Sequence, residues 1–159
     1  CRLVDKKRVD LIIEAFSRAS VPGELHIVGT GREEATLKAQ ASISSRSKDI
    51  TFLGGVDDDT LRQELEAADC FISMDVGDYD ISVVEAMGKG VRVIVAADFD
   101  LDDFGAEFTG VVRVEPEPLA LSAAMDSVNT MCIPGPTNLP ALKRLTWQSL
   151  ARTVSDFKK

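Results

Sequence analysis

The sequence predicts a doubly wound α/β domain built on a parallel sheet, and three observations support this class. Short β-rich segments alternate with helical patterns along the chain, which is typical of βαβ units. The strand segments are nearly continuous apolar runs, as expected when helices cover both faces of a parallel sheet. The composition, 45% hydrophobic and 28% charged over 159 residues, fits one globular domain with a substantial core.

The hydrophobic periodicity gives the elements in order. The segment RVDLIIEAF places Val9, Ile12 and Phe16 on one helix face, together with Ile13. The next predicted elements are a strand ELHIVG, a polar helix REEATLKAQASISSR and a strand ITFLGG. They are followed by a helix DDDTLRQELEAA, which has acids in its first turn, and by a strand DCFISM. The series is completed by a helix over 81–89, a strand VRVIVA, a loop near DFDLDDFGAEF, a strand GVVRV and a helix over 116–130.

These elements define the predicted domain organisation. Residues 1–131 form a single Rossmann-like domain with an open, twisted sheet. The Pro/Gly-rich segment CIPGPTNLP, residues 132–140, is a predicted connector. Residues 141–159 are a predicted helical segment of the same domain, with Thr146 as a candidate N-cap.

Charge and cysteine content narrow the classes of partner. The net charge is -8 and no run of Lys and Arg occurs, so the sequence predicts no nucleic-acid partner and favours a small ligand held by a few placed groups. The longest apolar runs are far below the roughly 20 residues that cross a bilayer, and no secretory signal is recognised. Cys1, Cys70 and Cys132 are an odd number and lack metal-ligand spacing, so a reducing, cytoplasmic location is expected.

Ligands of such sheets bind at the carboxyl ends of the strands, where loops lead into helix N-termini. Gly29-Thr30-Gly31 follows a predicted strand, but the third glycine of a dinucleotide fingerprint would fall at Glu34. This disfavours a nicotinamide-dependent dehydrogenase. A tight turn and the close approach of a ligand explain the two glycines equally well.

The candidate polar groups are few. Arg2 and Lys7 flank the first predicted loop, where cations would neutralise a diphosphate, and solvated surface cations are the alternative interpretation. His26, the only histidine, lies inside a predicted strand and is interpreted as a satisfied core or edge residue. No serine or cysteine carries the signature of an activated nucleophile, so no catalytic triad is predicted.

Five segments match a known family in their sequence, their order and their spacing. They are RLVDKKRVDLIIEAF, ELHIVGTGREEATLKAQA, ITFLGGVDDDTLRQELEAADCFIS, ISVVEAMGKGVRVIVA and LTWQSLARTVSDF. Together they resemble the C-terminal half of the family-4, GT-B-fold retaining glycosyltransferases, over nearly the whole chain. The resemblance implies a domain that binds a nucleotide-diphosphate sugar for transfer with retention, in polysaccharide or glycoconjugate biosynthesis. It also implies that no metal and no cofactor besides the sugar nucleotide is required.

The resemblance also implies roles for individual residues. Arg2 and Lys7 match the catalytic basic pair that grips the diphosphate and stabilises the charge developing on it. Glu85 matches a glutamate that accepts hydrogen bonds from the ribose hydroxyls, whereas its alternative interpretation is a first-turn acid favoured by the helix dipole. The amides that open helix 81–89 would face the phosphates. The other implied substrate-binding residues are Gly29 and Gly31 for close approach, Gly55 and Val56 beside the base, and Asp78, Tyr79, Ile81 and Ser82.

The segment before that helix departs from the family pattern. The family usually has E-G-F-G where this chain has Gly77-Asp78-Tyr79-Asp80, so the glutamate that contacts the transferred sugar is missing. Asp78 or Asp75 are alternative carboxylates for that contact. Asp80 is interpreted either as a helix N-cap or as a charge that repels phosphate. A non-catalytic GT-B-like module with a degenerate donor site is therefore the alternative function.

The resemblance finally implies a partner domain. GT-B enzymes bind the acceptor on an N-terminal domain, whereas this chain begins at the arginine of the first strand of the C-terminal domain. We therefore expect a missing N-terminal acceptor-binding domain, through which the protein is peripheral to the inner face of a membrane. We also expect the chain alone to be an inactive enzyme domain.

Overall fold

The computed structural model describes residues 2–76, 81–99 and 110–131. Helices and strands occur in the predicted order through these residues, alternating as far as β4, after which the next described element is β5. In chain order they are α1 (Val9–Arg18), β1 (Leu25–Val28), α2 (Glu34–Ser42), β2 (Ile50–Gly54), α3 (Asp58–Ala67), β3 (Cys70–Ser73), α4 (Ile81–Gly88), β4 (Arg92–Ala96), β5 (Val111–Val114) and α5 (Pro118–Asp126).

All strand pairs are parallel, and the predicted doubly wound α/β class is confirmed. The hydrogen-bonded ladder is nevertheless interrupted: β1 pairs with β2, while β3, β4 and β5 form a second sheet in that order. Leu25 faces Ile50 in the first pair, and Ile94 faces Val112 in the second sheet.

The core lies on both faces of the sheets, as the apolar strands require. In β4, Ile94 packs with the cluster formed by α1 and α5, whereas Val93 and Val95 pack with the cluster formed by α3 and α4. A third cluster joins α1 and α2 to β1 around Ile13 and Ile27. Each such fully buried side chain contributes about 1.5–3 kcal/mol of transfer free energy.

The observed ends of α2 and α5 differ from the predicted ends. The helix predicted over 116–130 begins at Pro118, whose fixed φ and missing N–H suit a first helical position, and it ends at Asp126. A separate 3-10 turn covers Val128–Thr130. The helix predicted over 32–46 is shorter, since α2 covers Glu34–Ser42.

Some predicted features lie outside the described residues, namely the connector 132–140 and the helical segment 141–159. Within the ranges that the structure describes, no helix combines the length and the apolar character needed to cross a membrane.

Candidate functional site

A cavity of about 820 Å³ brings together most of the predicted ligand-binding positions. It lies between β1 and β3, and its lining at the carboxyl ends of the strands consists of residues from three separate loops and from α4. Those residues are Lys7, Gly29, Thr30, Gly55, Val56, Ser82 and Glu85. Six of these seven positions were proposed from the sequence, and Thr30 is added by the structure.

Two predicted residues lie beside this lining. Arg2 is exposed and forms a parallel bridge with Thr30, so its backbone is at the edge of the cavity. Gly31 follows Thr30 in the sequence and packs against the backbone of Leu3. A Cβ atom at Gly31 would lie 2.2 Å from the carbonyl oxygen of Leu3. This contact by itself explains the glycine, because no side chain fits there.

Gly29 and Gly55 have different structural reasons for lacking a side chain. Gly29 has φ 131°, a conformation that strains residues with a side chain, and its N–H donates to the Gly54 carbonyl at 2.7 Å. The backbone of Gly29 therefore lines the cavity, and no side chain at this position blocks the approach of a ligand. A Cβ at Gly55 would meet only the Thr30 methyl group, at 3.8 Å, so this position has room for a small side chain.

Lys7 is held by a carboxylate that follows β3. It ends the 3-10 turn Asp5–Lys7, and its Nζ forms an ion pair with Asp75, which is buried. The second oxygen of that carboxylate, Asp75 Oδ1, has no hydrogen-bond partner. The Val76 N–H donates to the Lys6 carbonyl at 3.1 Å, which ties the first loop to the end of β3. An anion that binds Lys7 would therefore lie close to the negative charge of Asp75.

Arg8 connects the same loop to the segment after β4. Its guanidinium donates to both carboxylate oxygens of Asp98, at 3.1 and 2.8 Å, and this hydrogen bonding lowers the pKa of Asp98. Arg8 has φ 47°, the one left-handed non-glycine conformation among the described residues. Sequence reasoning did not select Arg8, and the only available signal was its place beside Lys7, directly before α1.

The start of α4 meets the cavity through Ser82 and Glu85. Ile81 is the first residue of α4 and is 44% exposed. Glu85 is exposed and lies in the second turn, and the first turn of α4 contains no acidic residue. The helix-dipole explanation of Glu85 is therefore wrong, because that effect fades beyond the first turn. Asp78 and Tyr79, together with Gly77 and Asp80, lie outside the described residues.

The remaining titratable groups of the cavity show no activated nucleophile. His26, at the amino end of β1, contacts Glu64 at 2.6 Å and Glu24 at 3.2 Å, and both hydrogen bonds raise the pKa of His26. It is an exposed edge residue with partners, one of the two environments predicted for it. Burial raises the pKa of Cys70 to about 12, so its thiol stays protonated. Among the described residues, no group of three or more His, Cys, Asp or Glu side chains is arranged to hold a metal ion.

Three solved structures superpose on nearly the whole chain. The chain superposes on Anabaena HepE in complex with UDP with a TM-score of 0.79 at 20% identity, covering 98% of this chain and 47% of HepE. It superposes on the lipopolysaccharide outer core galactosyltransferase WaaB in its apo form with a TM-score of 0.82 at 14% identity, covering 98% of this chain and 46% of WaaB. For sucrose-phosphate synthase from Thermosynechococcus elongatus the TM-score is 0.77 at 19% identity, covering 98% of this chain and 42% of the synthase.

These similarities establish the GT-B type of α/β fold, and the chain spans less than half the length of each of these three proteins. No curated protein sequence matches the chain. Residues 1–131 match the family model described as Glycosyl transferases group 1. Since that match covers most of the sequence, the chain belongs to the glycosyl transferases group 1 family.

Proposed function

We propose that this chain is the donor-nucleotide-binding half of a family-4 glycosyltransferase, which moves a sugar from a nucleotide-diphosphate sugar to an acceptor with retention of configuration. One observation carries the proposal. Lys7, Gly29 and Glu85 are far apart in sequence, yet they line one cavity at the carboxyl ends of parallel strands. This is where α/β sheets of this type bind their ligands.

The side chains suit a nucleoside diphosphate. The backbone at Gly29 permits close approach, and Lys7 supplies a cation for the phosphates. Glu85, an exposed carboxylate in the same cavity, is an acceptor for two neighbouring ribose hydroxyls. Gly55 and Val56 form the part of the lining proposed to contact the base. The similarity to a structure that contains UDP makes UDP the first nucleotide to test.

The chemical contribution of this half is electrostatic. When the bond between the sugar and the diphosphate breaks, negative charge accumulates on the diphosphate oxygens, and Lys7 and Arg2 are proposed to stabilise it. The proposal requires no metal and no cofactor besides the sugar nucleotide. The acceptor is assigned to a separate N-terminal domain, which also closes the cavity and excludes water from it.

Calorimetric titration with UDP, GDP and ADP tests the site. One of the three is expected to bind weakly to these 159 residues alone, because the second domain proposed to close the cavity is not among them. Lys7→Ala should reduce that affinity at least about tenfold, or 1.4 kcal/mol. Lys89→Ala is the matched control, since Lys89 pairs with Glu66 outside the cavity. If Lys7→Ala and Lys89→Ala behave alike, the cavity is not a diphosphate site.

A second variant tests the ribose contact. Glu85→Gln removes the carboxylate and keeps the size of the side chain, so the loss should be larger for UDP than for its 2′-deoxy analogue. Equal losses for the two nucleotides would mean that Glu85 does not contact the 2′-hydroxyl.

A non-catalytic module is the second candidate, and the ion pair between Lys7 and Asp75 favours it, because the cation is already neutralised. Asp80→Gly, which restores the residue usual in the family, separates the two functions. A working donor site gains affinity for its diphosphate when that charge is removed. A module without such a site binds none of the three diphosphates, before or after the change.

A further inference from the structure

Arg8 adopts a backbone conformation that usually belongs to glycine. Its φ is 47° and its ψ is 40°, in the left-handed region, where a residue with a side chain is strained. The residue joins the 3-10 turn to α1: its N–H donates to the Asp5 carbonyl at 2.9 Å, and its carbonyl accepts from the Ile12 N–H at 3.4 Å. Glycine would make the same two backbone hydrogen bonds without strain. The arginine therefore points to a role for its side chain.

The Arg8 side chain ends on a carboxylate that is itself fixed. Both oxygens of Asp98 accept from the guanidinium, and such a two-point hydrogen bond sets the orientation of both groups. On one side of Asp98, the Ala97 N–H donates to the Val114 carbonyl of β5 at 2.7 Å. On the other side, Phe99 is 1% exposed and packs in the cluster formed by α3 and α4. Arg8 is thus anchored to a rigid segment that follows β4.

Three consecutive residues of the first loop are held by the segments that follow β3 and β4. The Lys6 carbonyl accepts from the Val76 N–H, and the Lys7 side chain pairs with Asp75. Arg8 supplies the third contact, to the segment after β4. Of these three contacts, only the one at Lys7 involves a side chain that lines the cavity. A diphosphate bound there would share Lys7 with Asp75, whereas the Arg8 contact would stay intact.

The positive charge of Arg8 is already balanced by its surroundings. Hydrogen bonding to Asp98 raises the pKa of Arg8, and the negative charges of Asp98, Asp75 and Asp10 add to this effect. The same hydrogen bonding lowers the pKa of Asp98, so the pair is ionised at neutral pH. The Arg8 side chain is 24% exposed and lies outside the cavity lining. These features suit a group that holds the loop in place, and not a second ligand for phosphate.

We propose that Arg8 and Asp98 form a positioning pair for the diphosphate site, which fixes the backbone from which Lys7 reaches the phosphates. The inference rests on the proposed function. The pair does not touch the nucleotide, and its effect passes through Lys7. Without the pair, the first loop depends on the contact of Lys6 with Val76 when a diphosphate weakens the hold of Asp75 on Lys7. A cation on a looser backbone binds phosphate less tightly, because more conformational freedom is lost on binding.

Two substitutions remove the pair from opposite sides. Arg8→Gly deletes the guanidinium and places at φ 47° the residue that suits this conformation, so no backbone strain is added. Asp98→Asn removes the negative charge with almost no change in side-chain size. Each should weaken UDP binding about fivefold in calorimetric titration. Asp59→Asn is the matched control, because Asp59 pairs with Arg62 on α3, outside the cavity, and it should change the UDP affinity less than about twofold.

The Lys7→Ala background tests whether the effect passes through Lys7. In that background, Arg8→Gly and Asp98→Asn should each change the UDP affinity by less than about twofold, because the cation that they position is gone. A pair that merely stabilised the fold would weaken UDP binding to the same extent with and without Lys7.

Three results would overturn the inference. The first is UDP binding by Arg8→Gly and Asp98→Asn as tight as in the unaltered chain while Lys7→Ala weakens it, which leaves the proposed function standing. The second is an equal loss of affinity from these two substitutions with and without Lys7. The third is that no diphosphate binds to the unaltered chain, which would remove the proposed function as well. If Arg8→Gly does not fold, Asp98→Asn decides the question by the same criteria.

Discussion

Replacing Asp75 by asparagine separates two effects of the ion pair with Lys7. Asp75 is 4% exposed, and the Lys7 side chain is 19% exposed. The substitution removes the negative charge, keeps the shape and leaves an amide oxygen that accepts a hydrogen bond from Lys7. The free energy of unfolding and the affinity for the diphosphate should therefore change in opposite directions.

The magnitudes follow from burial and from Coulomb's law. Breaking a fully buried pair by removing one partner costs about 3–5 kcal/mol. Lys7 reaches water and keeps a hydrogen bond, so we expect a loss of about 1–2 kcal/mol. A diphosphate that contacts Lys7 lies roughly 6 Å from Asp75, where two like unit charges repel by about 3 kcal/mol at an effective dielectric constant of 20. With screening, a tenfold gain in affinity, about 1.4 kcal/mol, is expected.

Urea unfolding and calorimetric titration with UDP measure the two quantities on the same protein. Glu66→Gln is the control, because it removes an exposed carboxylate from a lysine outside the cavity and should change neither quantity measurably. If Asp75→Asn weakens UDP binding as much as Lys7→Ala does, Asp75 positions Lys7 for the ligand instead of competing with it. The reasoning above would then be refuted.

Three further predictions concern packing and ionisation. Gly31→Ala should lower the free energy of unfolding by about 2 kcal/mol or more, whereas Gly88→Ala, with open space at its Cβ, should not lower it. Iodoacetamide at pH 8.5 should alkylate Cys70 at least about a hundredfold more slowly in the folded than in the unfolded chain, because burial raises the Cys70 pKa to about 12. His26 has a raised pKa beside Glu64, so its stabilising contribution is complete below about pH 6.5 and is lost as the pH rises through the folded value. His26→Gln should remove that dependence.

Each of these predictions has a contradicting result. Equal unfolding free energies for the two glycine variants would show that the segment at Leu3 is not packed as described. Rapid alkylation of Cys70 in the folded chain would show that β3 is accessible to reagents. A pH dependence that persists in His26→Gln would assign it to another group.

Most of the fold is predictable from the sequence because it depends on local patterns. The apolar stripe of α1 and the continuous apolar strands identify each element, and the order of the elements identifies the class. Helix ends are less predictable, since capping decides them: α5 begins at Pro118 and ends at Asp126, although apolar residues continue beyond it. The glycine at position 31 is visible in the sequence, but the contact with Leu3 that requires it is visible only in the structure.

The pairings between distant segments are what the sequence does not show. Lys7 and Asp75 are 68 positions apart, and Arg8 and Asp98 are 90 apart, so no spacing rule connects them. Asp75 is an alternative carboxylate for the sugar contact because it lies close in sequence to position 77, where the family has a glutamate, whereas the structure pairs it with Lys7. The interrupted ladder is equally hidden, because an apolar strand segment does not reveal how many of its edges are paired.

The interrupted ladder also determines how cooperatively the chain unfolds. The half that contains β1 and β2 has its own buried cluster with α2, and the half that contains β3, β4 and β5 has another with α4. Among the strands that the structure describes, no pairing joins the two halves, and the packing of α1 against α5 is a main link between them. Each half is then a separate unit of partial unfolding, with its own opening free energy.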